Sequence, residues 1–151
     1  MRDIYYEQLL EYNKTYKDVD ELYTNYAKMC GLSESDFWIL YALAEAGSVR
    51  TQKDLCEWWS ISKQTINSAL KSLEKEGVVT LSSTEENKKT KYITLTEKGI
   101  EMVEKFIKPL MIAELAAFEM MGNEETREYL RLNKIYAETL NLTISKLGLD
   151  D

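Results

Sequence analysis

The sequence predicts a mainly α fold with one small β element of two to three strands, and three observations carry that prediction. Glycine and proline are scarce, six and one in 151 residues, which favours long helices over a loop-rich or all-β chain. Apolar residues recur at 3-4 spacing over long stretches at both ends. Between them, short apolar segments opened by Ser or Thr and closed by Gly lead into two β-branched runs around a charged tip.

The first long segment sets Tyr5, Leu9, Tyr12, Tyr16, Val19, Tyr23, Tyr26 and Cys30 in a 4-3-4-3-4-3-4 pattern, one helical stripe over about seven turns. Five of the eight are tyrosine, each with an apolar body and a polar tip. A helix this long cannot bury its stripe against a small domain alone, so it is expected to pack across a partner chain; an ordinary amphipathic core helix is the alternative. Gly31 is a natural stop. Ser33 then caps a second helix in SESDFWILYALAEAG, with Asp36 in the capping-box position and Gly47 beyond its end. Phe37, Leu40, Tyr41 and Ala44 are its expected buried face.

Thr51 caps a short third helix with Asp54 three residues on, and Leu55 and Trp58 or Trp59 point inward. Ser60-Ile61 makes a tight connection, Ser62 caps a fourth helix and Gly77 ends it. VVTLSS and KYITLT then flank TEENKKT as a hairpin. Thr96 caps a long helix with Gly99 in its first turn and a stripe of Val103, Phe106, Leu110, Ala113, Ala117 and Met120; Pro109 inside it predicts a kink and not an end. After Gly122, Asn123 is expected to cap a last helix from Glu124 to about Leu147, with Leu132, Tyr136, Leu140 and Leu147 as its stripe and Thr143 a weaker member. The expected divisions are 1–32, 33–98 and 99–151.

The chain contains no histidine. The usual general base, the commonest zinc ligand and every Ser-His or Cys-His nucleophile pair are therefore missing, and the expectation is no enzyme and no cofactor. Cys30 and Cys56 form neither a CxxC nor a disulfide framework. No apolar run approaches the roughly 20 residues that cross a bilayer. MRDIYYEQLLEYNKTYKDVD lacks a signal peptide's apolar core. A cytoplasmic protein without a membrane partner is expected.

The fourth helix carries the chemistry. Ile66, Leu70 and Leu73 lie on one side, with Ala69 beside them. Gln64, Ser68, Lys71 and Lys75 lie on the other, flanked by Thr65 and Asn67. No acid occurs from Ser62 to Ser72. Gln and Asn can bond an adenine edge through two hydrogen bonds, Lys can reach guanine or phosphate, and the Thr methyl can touch thymine. A short capped helix, a three- to four-residue turn and a second helix make a helix-turn-helix. Thr51, Gln52 and Lys53 at the first helix's N-terminus suit phosphates. The hairpin tip, Asn87, Lys88, Lys89, Thr90 and Lys91, sits where a basic wing reaches the flanking groove. A charged hairpin tip alone is common; the three elements in this order are harder to explain as scaffold.

The formal net charge of −7 opposes DNA only if it lies near the contact. Residues 50–98 carry nine Lys/Arg against seven Asp/Glu, +2, whereas 1–49 carry four against nine, −5, and 99–151 six against ten, −4. With a Debye length of about 8 Å at physiological salt, acidic ends facing away from the duplex are largely screened.

SESDFWILYALAEAG, TQKDLCEWWSISKQTINSALKSLEKEGVV and KYITLTEKG together resemble the multiple-antibiotic-resistance regulator (MarR) family of bacterial winged helix-turn-helix transcription factors, over essentially the whole chain and most specifically from Thr51 to Gly99. The resemblance implies a homodimer joined through long N- and C-terminal helices, binding double-stranded DNA at a pseudo-palindromic operator. It implies a repressor, released when a small aromatic ligand binds between the dimerisation and DNA-binding parts. It carries DNA reading to Ser62, Gln64, Thr65, Asn67, Ser68 and Lys71, beside Lys63, and phosphate contact to Thr51, Gln52 and Lys53. The family's Asp-x-Arg wing pair is absent: the tip Glu86-Asn87-Lys88-Lys89-Thr90-Lys91 has no arginine, and lysine lacks the planar fork, so the wing is expected to hold phosphate with little shape reading.

Tyr12, Tyr16, Trp38 and Tyr41 are the candidates for a crevice that takes a flat apolar ligand, although aromatic residues at helical spacing are more often plain core. Relatives that sense oxidants use a cysteine near the start of the first helix; Cys30 is at its end, and Cys56 reads most simply as a small buried apolar residue. The rival to a DNA-binding regulator is a protein-binding adaptor that keeps the winged fold without an operator.

Overall fold

The computed structural model describes residues 3–45, 51–59, 61–85 and 88–148, which fall in two compact units, Met1–Lys108 and Pro109–Asp151. In the first unit, Asp3 accepts the Tyr5 N–H at 3.0 Å and opens helix α1, Ile4–Met29. Gly31, at φ +72°, closes it: Gly31 N–H bonds the Lys28 carbonyl and Leu32 N–H the Ala27 carbonyl, each at 3.0 Å, the two-bond closure of a Schellman end. Most of α1 is exposed; its last turns pack, with Ala27 buried and the Tyr26 hydroxyl donating to the Phe106 carbonyl at 2.9 Å.

Helix α2, Glu34–Ala44, starts at Ser33, whose Oγ accepts the Asp36 N–H at 3.1 Å and donates to the Asp36 carboxylate at 2.6 Å. The acid therefore meets the cap's hydroxyl and not its backbone N–H. The expected buried face is too narrow. Phe37, Ile39, Leu40 and Ala42 are all fully buried, while Tyr41 and Ala44 are half-buried. The reason is position: α2 contacts α1, α3, α4 and a π-helical turn further along, and a central helix has no outward stripe. It ends at Ala44, and the expected stop at Gly47 lies outside the described residues.

Helix α3, Gln52–Trp59, has a full capping box: Asp54 N–H bonds Thr51 Oγ1 at 3.1 Å and Thr51 N–H bonds the Asp54 carboxylate at 2.8 Å. Leu55 is fully buried and both tryptophans are half-buried; Ser60 of the expected turn lies outside the described residues. Helix α4, Lys63–Lys75, is capped by Ser62, which accepts the Thr65 N–H at 3.2 Å, and closes at Gly77 through bonds to the Glu74 and Leu73 carbonyls. Ile66, Leu70 and Leu73 are buried, as their spacing predicts.

Strands β1, Val79–Ser82, and β2, Tyr92–Leu95, pair antiparallel, Val79 opposite Leu95 and Ser82 opposite Tyr92. Thr51 adds a one-residue bridge to Tyr92, and Gln52 N–H donates to the Lys91 carbonyl at 3.0 Å. The hairpin is thus fastened to the start of α3. Thr96 caps helix α5, Glu97–Met102, accepting the Gly99 N–H while its hydroxyl reaches the Gly77 and Val78 carbonyls.

The chain stays helical beyond Met102, through a π-helical turn at Val103–Ile107, in which Lys108 N–H bonds the Val103 carbonyl five residues back. Pro109, which lacks an N–H, follows at once, in α6, Lys108–Met121. The extra residue in the π turn shifts the register, so Val103 and Ile107 are buried and the expected Phe106 is only half-buried. In the second unit, Gly122 at φ +93°, and not Asn123, is the N-cap of α7, Asn123–Ser145, and no side chain caps it. Asn123 already lies inside the helix. No residue of α6 or α7 is buried; the core of the described residues belongs to the first unit.

Candidate nucleic-acid interface

Burying Ile66, Leu70 and Leu73 fixes the rotation of α4, and that rotation leaves Ser62, Lys63, Gln64, Thr65, Ser68 and Lys71 exposed, with Asn67 half-buried. Two of these side chains also serve the helix. Ser62 Oγ accepts the Thr65 N–H, and the two hydroxyls share a 2.8 Å hydrogen bond. The acids at the far end of α4 are turned elsewhere: Glu74 accepts the Leu81 N–H of β1 at 3.2 Å and Glu76 accepts the Ser72 hydroxyl at 3.3 Å.

A groove of about 610 Å3 runs between α4 and the hairpin, lined by Gln52, Lys63, Gln64, Asn67, Lys89 and Lys91. Behind it, a narrower cavity of about 270 Å3 takes in Lys53, Cys56 and Thr90 beside Gln52, Lys63, Lys89 and Lys91. Candidates from α4, from the N-terminal turn of α3 and from the hairpin therefore meet around one depression, rich in lysine and, among the described residues, without a carboxylate in its lining. A further concavity, about 1010 Å3 along Asn123–Leu132 of α7, has described lining residues from that one helix alone, and none of them is a candidate.

Gln52, expected at a phosphate, lines the groove but also has a structural bond. Its side chain is 7% exposed, and the amide donates to the Lys63 carbonyl at 3.4 Å, so its evident work is joining α3 to α4. Lys53 is exposed and pairs with Glu57 at 3.6 Å, a surface pair that contributes little. Lys88 and Lys89 are exposed and Thr90 and Lys91 half-buried; Asn87 lies outside the described residues. Cys56 is half-buried and lines the narrower cavity, so it is not plain core. The signal was its spacing: Gln52, Lys53 and Cys56 fall at i, i+1 and i+4, close enough on α3 to face one cavity.

The four aromatic candidates divide into two groups. Tyr12 and Tyr16 stack on each other at 6.2 Å on the exposed part of α1. Trp38 and Tyr41 belong to a separate cluster centred on Trp38, whose ring lies 5.3 Å from Tyr23, 5.6 Å from Tyr41, 6.4 Å from Trp58 and 6.3 Å from Trp59. The Trp58 indole N–H donates to Glu45 at 3.0 Å. Tyr23 is the α1 residue that reaches this cluster, and it was missed because its spacing equals that of its neighbours on the stripe. Among the described residues no cluster of His, Cys, Asp or Glu could hold a metal, and no helix is long and apolar enough to cross a membrane.

The MarR family model matches residues 31–89, from the end of α1 through α2, α3, α4 and β1 to the wing tip. A solved MarR family regulator from Neisseria meningitidis is 26% identical, with a TM-score of 0.79 over 93% of this chain and 99% of that one. Over residues 31–89 the chain matches the MarR family, and over nearly its whole length it shares the fold of that family's solved regulators. A MarR family transcriptional regulator from Listeria monocytogenes, solved with a 26mer DNA, shares the fold at 23% identity and a TM-score of 0.71, over 100% of this chain and 99% of that one. As a MarR fold the chain is a winged helix-turn-helix, with α3 and α4 as the paired helices and the β1–β2 hairpin as the wing. A curated relative, a riboflavin kinase from Pyrococcus furiosus, is 33% identical over 79 residues, 49% of this chain and 36% of that enzyme. The chain thus spans little more than a third of that enzyme's length.

Proposed function

We propose that this protein is a sequence-specific transcriptional regulator of the MarR family, a repressor, that binds a pseudo-palindromic operator in the bacterial cytoplasm as a homodimer. One observation carries the reading. The exposed, acid-free face of α4 and the lysines of the wing border the same groove. Gln64, Asn67 and Ser68 read base edges, with Lys71 on a flanking base or phosphate; Ser62, Lys63 and Thr65 steady the helix's entry. Thr51, Lys53, Lys88, Lys89 and Lys91 hold the backbone, and Gln52 braces α3 against α4. Thr90 belongs to the wing, and Asn87 is assigned to it from its place in the sequence.

The terminal helices support the dimer. Tyr5 at 76%, Leu22 at 68% and Ile112 at 65% exposed are apolar surfaces that a single chain leaves in water, and apolar faces of that extent mark association surfaces. Two-fold symmetry then sets the recognition helices about one DNA turn, ~34 Å, apart. A flat aromatic ligand beside Trp38, Tyr41 and Tyr23 is the releasing signal. The kinase match reaches too little of that enzyme to carry its activity, and the chain acts without catalysis.

A mobility shift against DNA flanking the protein's own gene, followed by footprinting, tests the reading. A symmetric protected site with sequence preference is expected. Uniform binding of any duplex, or none at low salt together with a co-purified partner protein, sinks it in favour of an adaptor.

A further inference from the structure

The cavity behind the groove has a chemistry of its own. It holds about 270 Å3, just below the roughly 300–1,000 Å3 of sites for drug-sized ligands, so its occupant is small. Among the described residues that line it four are lysines, Lys53, Lys63, Lys89 and Lys91, and none is acidic. Only Lys53 has a carboxylate partner among the described residues, Glu57 on the exposed flank of α3. Like charges gathered around one cavity repel, and an anion between them removes that cost. The Gln52 amide and Thr90 hydroxyl add hydrogen-bonding groups, and Cys56 lends a less polar wall.

Residue type narrows the anion further. Arginine's fork suits planar two-point pairing, whereas lysine acts as a point charge with rotatable donors and binds phosphate in that way. From 51 to 98 the chain has eight lysines and seven acids but no arginine, and four point charges around so small a cavity favour a compact, multiply charged anion. We propose that this cavity is a binding site for a small free molecule bearing a phosphate or pyrophosphate group, and that its occupation competes with operator DNA. The competition rests on the DNA-binding reading above, because Lys53, Lys89 and Lys91 are also its phosphate contacts. Ligand and DNA then weaken each other by the same factor.

The binding step is tested without DNA. Calorimetric titration of the full chain with pyrophosphate in chloride buffer is expected to saturate at one site per chain. Cys56→Leu, which fills the wall, and Lys63→Gln are each expected to lower affinity tenfold or more. Cys56→Ser and Lys71→Gln, the latter outside the cavity, leave it within twofold. Loss of affinity in Lys71→Gln equal to that in Lys63→Gln means diffuse charge attraction and overturns the proposal, as does unsaturable binding or an unchanged Cys56→Leu. If Cys56→Leu does not fold, the two lysine variants decide. A DNA titration then separates the sources of phosphate: operator affinity is expected to fall at least tenfold with pyrophosphate against chloride at equal ionic strength. If pyrophosphate does not bind but Cys56→Leu weakens DNA, the cavity serves a backbone phosphate only and the proposal fails. Binding of pyrophosphate with operator affinity unchanged overturns the competition and leaves the DNA reading standing, whereas failure of the chain to bind operator at all overturns the DNA reading; the site stands in both cases.

Discussion

At the scale of single residues, two glycines of the winged domain serve different needs. A Cβ on Gly99 would lie 2.2 Å from the Val78 carbonyl oxygen. That oxygen cannot retreat easily, because it accepts both the N–H and the hydroxyl of Thr96. Gly99→Ala is therefore expected to destabilise by about 1–3 kcal/mol, as overpacking does, seen as a lower denaturant midpoint. Gly77 has open space around it but φ +72°, so Gly77→Ala costs about 1–2 kcal/mol through backbone strain alone. Asparagine, which tolerates that conformation, is expected to recover part of the loss at 77 and none at 99; equal behaviour at both sites would contradict the distinction. Tyr26 adds a pH dependence. Burial chiefly, with Cys30 beside it, raises its pKa above the ordinary tyrosine value, so the folded state keeps the phenol proton where the unfolded chain releases it. Stability from this group is whole below about pH 10 and falls as pH rises through the folded pKa. Tyr26→Phe, which also removes the bond to the Phe106 carbonyl, should flatten that alkaline decline in urea unfolding measured from pH 8 to 11.

At the scale of elements, the proposed function divides the work of recognition between α4 and the wing. Gln64→Ala or Asn67→Ala is expected to cost roughly 1–3 kcal/mol, confined to one or two operator positions. Lys89→Ala should instead weaken all sequences alike and reduce the salt slope by about 1. A binding series across operator variants and salt concentrations separates the two, and a uniform loss for Gln64→Ala would remove it from the reading face. The caps and stripes of these elements were legible because they are local: Ser33, Thr51, Ser62 and Thr96 each cap the helix predicted for them. What escaped the sequence depends on packing between elements. The α2 face came out too narrow because four neighbours surround it, and Phe106 was misplaced because a π turn adds a residue to the period. Gln52 read as a surface polar residue until the Lys63 carbonyl, eleven positions away, took its amide. The cavity at Cys56 needs α3, α4 and the wing together, and no single-helix pattern contains it.

At the scale of the whole molecule, charge and exposed apolar surface converge on the same assembly. The net −7 is concentrated outside residues 50–98, so the lysine-lined groove keeps a locally favourable field within a Debye length of about 8 Å, while repulsion between acidic ends and DNA discourages non-specific binding. In the proposed homodimer, affinity then comes from engaging two half-sites at once. The second contact is intramolecular in a dimer, and such linkage raises affinity by about 10²–10⁴ over one module. Helix α7 offers the surface for it: Leu130, Leu132, Leu140, Leu142 and Ile144 are 41–56% exposed in the single chain, and none contributes to the buried core. Leu140→Glu is accordingly expected to leave the winged domain folded by circular dichroism, to shift sedimentation from dimer to monomer, and to lower operator affinity at least a hundredfold. Half-site affinity, measured on a duplex carrying one arm, should stay within threefold. A variant that remains dimeric, or a monomer that binds the full operator as tightly as the parent, would show that α7 does not supply the coupling proposed for this acidic protein.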